Sequence, residues 1–217
     1  MSDRSREFDF GISGLSTWFD STWTVEYVSP TDVVRAAVVG HGGRSGAHIA
    51  DDAVRLWASP LSADALGQLW QGATGCAHVL GRWSIDGRRW MRQIVDVCVG
   101  CGTADAKILS AERFPSPPGE LLPQVLAELR DAQDRLWQGV TERGDEGWLP
   151  DLVGALEQCI VDVSPDVGFR LFLRALNEYW VPATTESYDR WVELGERFGY
   201  GEFVVHVVEH LTRLPER

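Results

Sequence analysis

The side chains best suited to chemistry are four cysteines and five histidines in a chain of 217 residues. Cys98-Val99-Gly100-Cys101 is a CxxC, a spacing that lets two thiolates share one tetrahedral metal or close a reversible disulfide. Cys76 and His78 stand at alternate positions upstream, and alternate residues of a strand face the same way. Cys76, His78, Cys98 and Cys101 are therefore a candidate zinc set. No cofactor is otherwise expected. Cysteine is also among the most buried residue types, and Val97 and Val99 flank Cys98, so plain core thiols are the alternative.

A second string, His206-Val207-Val208-Glu209-His210, reads H-x-x-E-H. It resembles the inverted zinc peptidases, in which two histidines one helical turn apart bind zinc and the glutamate acts as base. The resemblance covers five residues and implies an acidic third ligand well downstream, whereas seven residues follow His210 here. An ordinary amphipathic helix accounts for the same residues, with Phe203, Val204, Val207, Val208 and Leu211 as its apolar stripe.

His41 and His48 bracket a glycine-dense stretch, 40–46, that also holds Arg44. Four glycines in seven residues cost a helix or strand too much entropy, so the stretch reads as a loop. Free amides where a helix opens could bind an anion, which makes His41, Arg44 and His48 a candidate anion or substrate loop. Neither a P-loop nor a dinucleotide fingerprint is present, and GxSxG, SxxK and the zinc-deaminase signature are absent as well. Enzymatic activity is left open, with the balance against it.

The ten tryptophans are spread along the chain, and most fall on stripes expected to be buried. Trp18, Trp23, Trp83 and Trp148 sit near expected turns, where an aromatic with a polar edge can anchor a partner.

The elements that must position these residues read as an α+β protein, predominantly helical. Residues 16–28 are rich in aromatic and β-branched types, which favours extended structure. Residues 77–99 read as a β-hairpin about Asp86-Gly87, and short helices occupy 47–58 and the stretch from Ser62. The prolines and glycine of 115–119 mark a boundary between a mixed lobe, 1–114, and a helical lobe, 120–217. In the second lobe, helical periodicity over 120–140, 152–163, 166–180, 185–198 and 202–214 predicts an irregular bundle.

Composition sets the function class. Hydrophobic residues at 44% and charged residues at 24% are those of a globular chain able to build a core. Asp+Glu outnumber Lys+Arg by 32 to 20, and the net charge of -12 opposes nucleic acid and anionic lipid while favouring a basic partner. No apolar run is long enough for a secretory signal or a membrane span, which points to the cytoplasm. The expected function is a nonenzymatic acidic module that binds a basic protein, as an immunity protein or antitoxin binds its toxin. A zinc or thiol protein built on the four residues above, and an enzyme using the 40–46 loop, are the alternatives.

Overall fold

The structure is a computed structural model that describes residues 9–40, 44–104 and 119–215. Among the described residues it contains helices and no strand. In chain order these are α1 (Gly11–Ser16), α2 (Trp23–Glu26), α3 (Pro30–Val39), α4 (Arg44–Ala58), α5 (Ala63–Ala73), α6 (Gly87–Gly100), α7 (Leu122–Arg143), α8 (Leu152–Gln158), α9 (Pro165–Glu178), α10 (Thr185–Phe198) and α11 (Glu202–His206). Tighter turns at Leu80–Trp83, Gly119–Leu121 and Glu209–Arg213, and a wide turn at Cys159–Val163, link or extend them.

The ends of the helices are written locally. Ser62 Oγ accepts from Ala65 N–H at 3.0 Å and opens α5, and Thr184 Oγ1 accepts from Ser187 N–H at 3.1 Å and opens α10. Ser29 N–H donates to Asp32 Oδ2 at 3.1 Å with Pro30 in the first turn of α3. Gly144 and Gly199, at φ +78° and +73°, close α7 and α10 in the left-handed conformation that glycine adopts without steric cost.

The α+β expectation is overturned at both places where it relied on strands. Residues 77–99 form no hairpin: after the turn at Leu80–Trp83 they enter α6. Asp86 is the N-cap of that helix, its carboxylate accepting from Arg89 N–H at 2.8 Å. The apolar residues of α6, Trp90, Met91, Ile94, Val95 and Cys98, recur at helical spacing and all are buried, so burial of that stripe outweighs the strand preference of Ile and Val. Residues 16–28 likewise close α1, turn and form the short α2. Phe19 and Trp23 are buried while Val25 and Val28 face solvent, an arrangement without the alternation of a strand.

Gly87 has a packing reason. A Cβ there would lie 2.3 Å from the amide nitrogen of Gly67 and 2.4 Å from the carbonyl oxygen of Ala63, so α6 starts in backbone contact with α5. Gly87→Ala is expected to cost about 1–3 kcal/mol, because backbone rather than a flexible side chain must move. Urea unfolding of the variant measures it, and a change below about 0.5 kcal/mol would refute the close approach.

α4 packs along α6, with α1, α3 and α5 around them; α5 also packs on α8 and α9, and α7 on α8 and α9. One hydrophobic core accordingly draws on residues from Phe10 to Leu211. The proposed boundary at 115–119 lies, apart from Gly119, outside the described residues.

A buried ionic tie joins the first helices to α9. Arg170 Nη2 meets Asp52 Oδ2 at 2.9 Å, and its Nη1 donates to the Phe10 carbonyl at 2.8 Å and to Ser13 Oγ at 3.0 Å. The guanidinium lies 4.3 Å from the centre of the Phe10 ring, and Nε is 3.4 Å from Asp166, which also accepts from Tyr200 Oη at 2.6 Å. Burial works against the charge on Arg170, but the attraction of Asp52 and Asp166 more than reverses this and holds the guanidinium charged.

Candidate functional site

The site is assembled around His78, which is 0% exposed. Its ring is enclosed by Phe19, Trp23, Trp70 and Trp90, with ring centroids between 4.9 and 6.0 Å from its own, and by Trp83 at 6.4 Å. Trp70 Nε1 donates to His78 Nδ1 at 2.8 Å, which places the proton of the neutral ring on Nε2. Nε2 itself has no hydrogen-bond partner. Burial alone pushes the pKa down to about 4, so the imidazole is neutral at physiological pH.

Trp83 is the outer wall of this cage. It stacks obliquely on Trp23 at 5.7 Å and remains 38% exposed. Trp148, 45% exposed, comes from the loop between α7 and α8 and passes over the same turn: a Cβ on Gly81 would sit 3.7 Å from its ring. The loop is held by Gln71 Nε2 donating to the Trp148 carbonyl at 3.2 Å and by Asp151 N–H donating to Gln68 Oε1 at 2.6 Å. The Trp148 ring thus lies beside the turn that carries Trp83, and Asp145, Glu146, Asp151 and Asp86 are neighbours of the two tryptophans along the chain.

Beside this face lies a polar cluster. Cys76 adopts φ +57°, and its Sγ is 3.6 Å from Tyr179 Oη, which donates to Asp145 Oδ2 at 3.2 Å. Arg143 contacts Asp145 at 3.4 Å and donates to the carbonyls of Gly75 at 3.0 Å and Glu178 at 2.7 Å. Burial raises the Cys76 thiol to about 11 and raises Tyr179 as well, so both groups stay protonated. A protonated thiol is a poor nucleophile, and the cluster serves as a clamp on the loop that carries Trp148.

Of the four anchors expected from sequence, Trp83 and Trp148 are exposed, and the Trp148 ring lies beside Gly81, two residues before Trp83. Trp23 is buried beneath Trp83, its Nε1 donating to the Ala77 carbonyl at 3.3 Å. Trp18 is partly buried and packs near Gly40. Of the four candidate metal ligands, Cys76 and His78 are engaged as described, Cys98 is buried within α6 with its thiol raised to about 12 by burial, and Cys101 caps the C-terminus of that helix. All four cysteines are free thiols. Among the described residues no group of three or more His, Cys, Asp or Glu side chains is arranged to hold a metal ion.

His41 and the side chain of Arg44 lie outside the described residues, while His48, on α4, packs its ring 5.3 Å from that of Phe10. The H-x-x-E-H residues do not share one regular helix, because α11 ends at His206 and the tighter turn begins at Glu209. His206 Nδ1 is 2.9 Å from Tyr188 Oη, and His210 sits edge-on to Trp180 at 5.4 Å.

Sequence reasoning missed the tie between Asp52 and Arg170 and the turn that exposes Trp180. An arginine inside the apolar run of α9 was a readable signal for the first; its partner, far upstream, was not.

The described residues thus form an all-helical protein in which Trp83 and Trp148 are exposed. Comparison with protein-family models, curated proteins and solved structures gives no match for the chain. No helix among the described residues is long and apolar enough to cross a membrane.

Proposed function

We propose that this chain is a nonenzymatic cytoplasmic binding module whose Trp83–Trp148 face takes a basic segment of a partner protein, in the manner of an immunity protein or antitoxin. The observation that supports the reading is the placing of the exposed Trp148 ring beside Gly81, two residues before the exposed Trp83, with Asp145, Glu146 and Asp151 close to Trp148 in the sequence of a chain of net charge -12. Exposed indoles supply contact area at a small entropic cost and attract the cationic heads of Arg and Lys, while the surrounding acid steers a basic surface toward them.

The test is affinity capture from source cells with the wild type and with Trp83→Ala/Trp148→Ala, at low and high salt. The double variant is expected to lose at least about tenfold in affinity, and capture is compared at a temperature where circular dichroism shows it folded, because Trp83 also covers Trp23 and its loss lowers the melting temperature. Capture is also expected to weaken as salt rises. Equal capture by the double variant, or capture indifferent to salt, would sink this reading.

A further inference from the structure

The end of α6 carries a pair of thiols that the Trp83–Trp148 face does not use. Cys101 follows the last residue of the helix yet keeps its geometry: φ is -85° and its N–H donates to the Val97 carbonyl at 2.9 Å. Cys98 and Cys101 are therefore one turn apart on a single face, with Cα atoms about 5 Å from each other by helix geometry. A disulfide accepts Cα separations of about 4.4–6.8 Å. The two thiols differ in access, Cys98 being fully buried and Cys101 partly exposed.

The backbone between them is free to adjust. A disulfide wants its Cβ atoms about 3.5–4.5 Å apart, whereas an undistorted helix holds residues i and i+3 at about 5–6 Å, so closure must rewind the last turn. Gly100 lies within that turn, and Gly102 follows it at φ +70°. A Cβ on either glycine would meet nothing within 4 Å, so neither is there to make room for a neighbour. In a helix Gly100 costs about 0.5–1 kcal/mol against alanine, and the property it supplies is backbone freedom between the two thiols. Rewinding would act on Thr103, whose N–H and Oγ1 hydroxyl both donate to the Cys98 carbonyl, at 3.2 and 3.0 Å. The same side chain abuts the start of α4: a Cβ on Gly46 would lie 2.5 Å from Thr103 Oγ1.

We infer that Cys98 and Cys101 are a thiol switch, closed to a disulfide by glutathione disulfide and reopened by glutathione, and that closure rewinds the end of α6 beneath Thr103. Burial holds Cys98 protonated, so the accessible Cys101 opens the exchange. Its thiolate attacks one sulfur of glutathione disulfide, the S–S bond breaks, and one glutathione leaves with the proton that Cys101 gave up. Cys98 Sγ then attacks Cys101 Sγ, and the second glutathione leaves with the Cys98 proton. Two protein thiols are oxidised and one glutathione disulfide is reduced to two thiols. A helix-distorting disulfide is strained, and strained disulfides are the easily reduced, regulatory ones.

The experiment places the full chain in glutathione buffers of graded oxidised-to-reduced ratio, followed by acid quench, alkylation and tryptic digestion. Cleavage after Arg92 and Lys107 gives a peptide, 93–107, that holds Cys98 and Cys101 and neither Cys76 nor Cys159. In oxidising buffer this peptide is expected to become lighter by two hydrogen atoms and to lose both alkylation sites, and excess reduced glutathione is expected to restore them. Cys98→Ala is expected to stop at the mixed disulfide, with glutathione on Cys101, and Cys101→Ser to leave Cys98 a free thiol. In the oxidised chain the Thr103 amide is expected to exchange its hydrogen at least about tenfold faster than in the reduced one. The wild-type readings decide the matter without the variants. A peptide that keeps both thiols or stops at the mixed disulfide in the most oxidising buffer overturns the switch, as does a disulfide that reduced glutathione does not reopen or an unchanged exchange rate at Thr103.

Discussion

Replacing Arg170 with methionine is expected to lower the unfolding free energy by about 3–5 kcal/mol, the usual consequence of stranding a buried charge. Methionine fills much of the same volume, so the loss would come from Asp52 and Asp166, which face the vacated guanidinium position at 2.9 and 3.4 Å, and from the Phe10 carbonyl, which loses its donor. The effect should be strongly non-additive. Once Arg170 is gone, Asp52→Asn removes a charge that has no partner, and the double variant should recover part of the stability while Asp52 Oδ2 no longer provides its full pull on Ile12 N–H, now 3.0 Å away. Urea unfolding of the two single variants and the double variant closes the cycle; a loss below about 1 kcal/mol in Arg170→Met would show that the tie contributes little.

Lowering the pH from 6.5 to 4 is expected to remove stability through His78, by up to about 3 kcal/mol. The folded-state pKa is depressed to about 4 against an ordinary value of 6.5, so in this window the unfolded chain binds the proton and the folded one does not. Stability from this group is therefore present above pH 6.5, declines as the pH falls, and levels off below 4. The geometry supplies the reason: protonation would put a hydrogen on Nδ1, where Trp70 Nε1–H already points at 2.8 Å, inside rings that offer no counter-charge. Asp9 acts in the opposite direction, since burial raises its pKa and the folded state then holds its proton more tightly than the unfolded chain. The comparison that isolates His78 is with His78→Gln, which cannot be protonated in this range. The difference in unfolding free energy between wild type and variant should grow in the variant's favour from pH 6.5 to 4, and a constant difference would exclude the proposed role.

The exposure of the tryptophans was half legible. Trp83 and Trp148 stand out because each lies beside turn residues, and both proved exposed; Trp23 stands in a similar context but is covered by Trp83. Nothing local distinguishes these cases, because the difference is made by the turn at Leu80–Trp83 folding back over α2. The hairpin misreading has a sharper cause. Asp-Gly suits a tight β-turn and a helix start equally well, and β-branched content suggested strand, while the spacing of Trp90, Met91, Ile94, Val95 and Cys98 already carried the helical period.

Helix starts at Ser29, Ser62, Ser164 and Thr184, helix stops at Gly144 and Gly199, and the amphipathic faces of α5, α7, α9 and α10 were determined by the sequence alone, because capping and periodicity act within a few residues. The tertiary structure alone decided that Asp52 meets Arg170, that Trp70 meets His78 inside an aromatic cage, that Trp148 lies over Gly81, and that Trp180 is held outward beside Arg135. These pairings depend on how helices cross, and crossing is set by packing summed over the whole core, to which no single stretch of sequence holds the key.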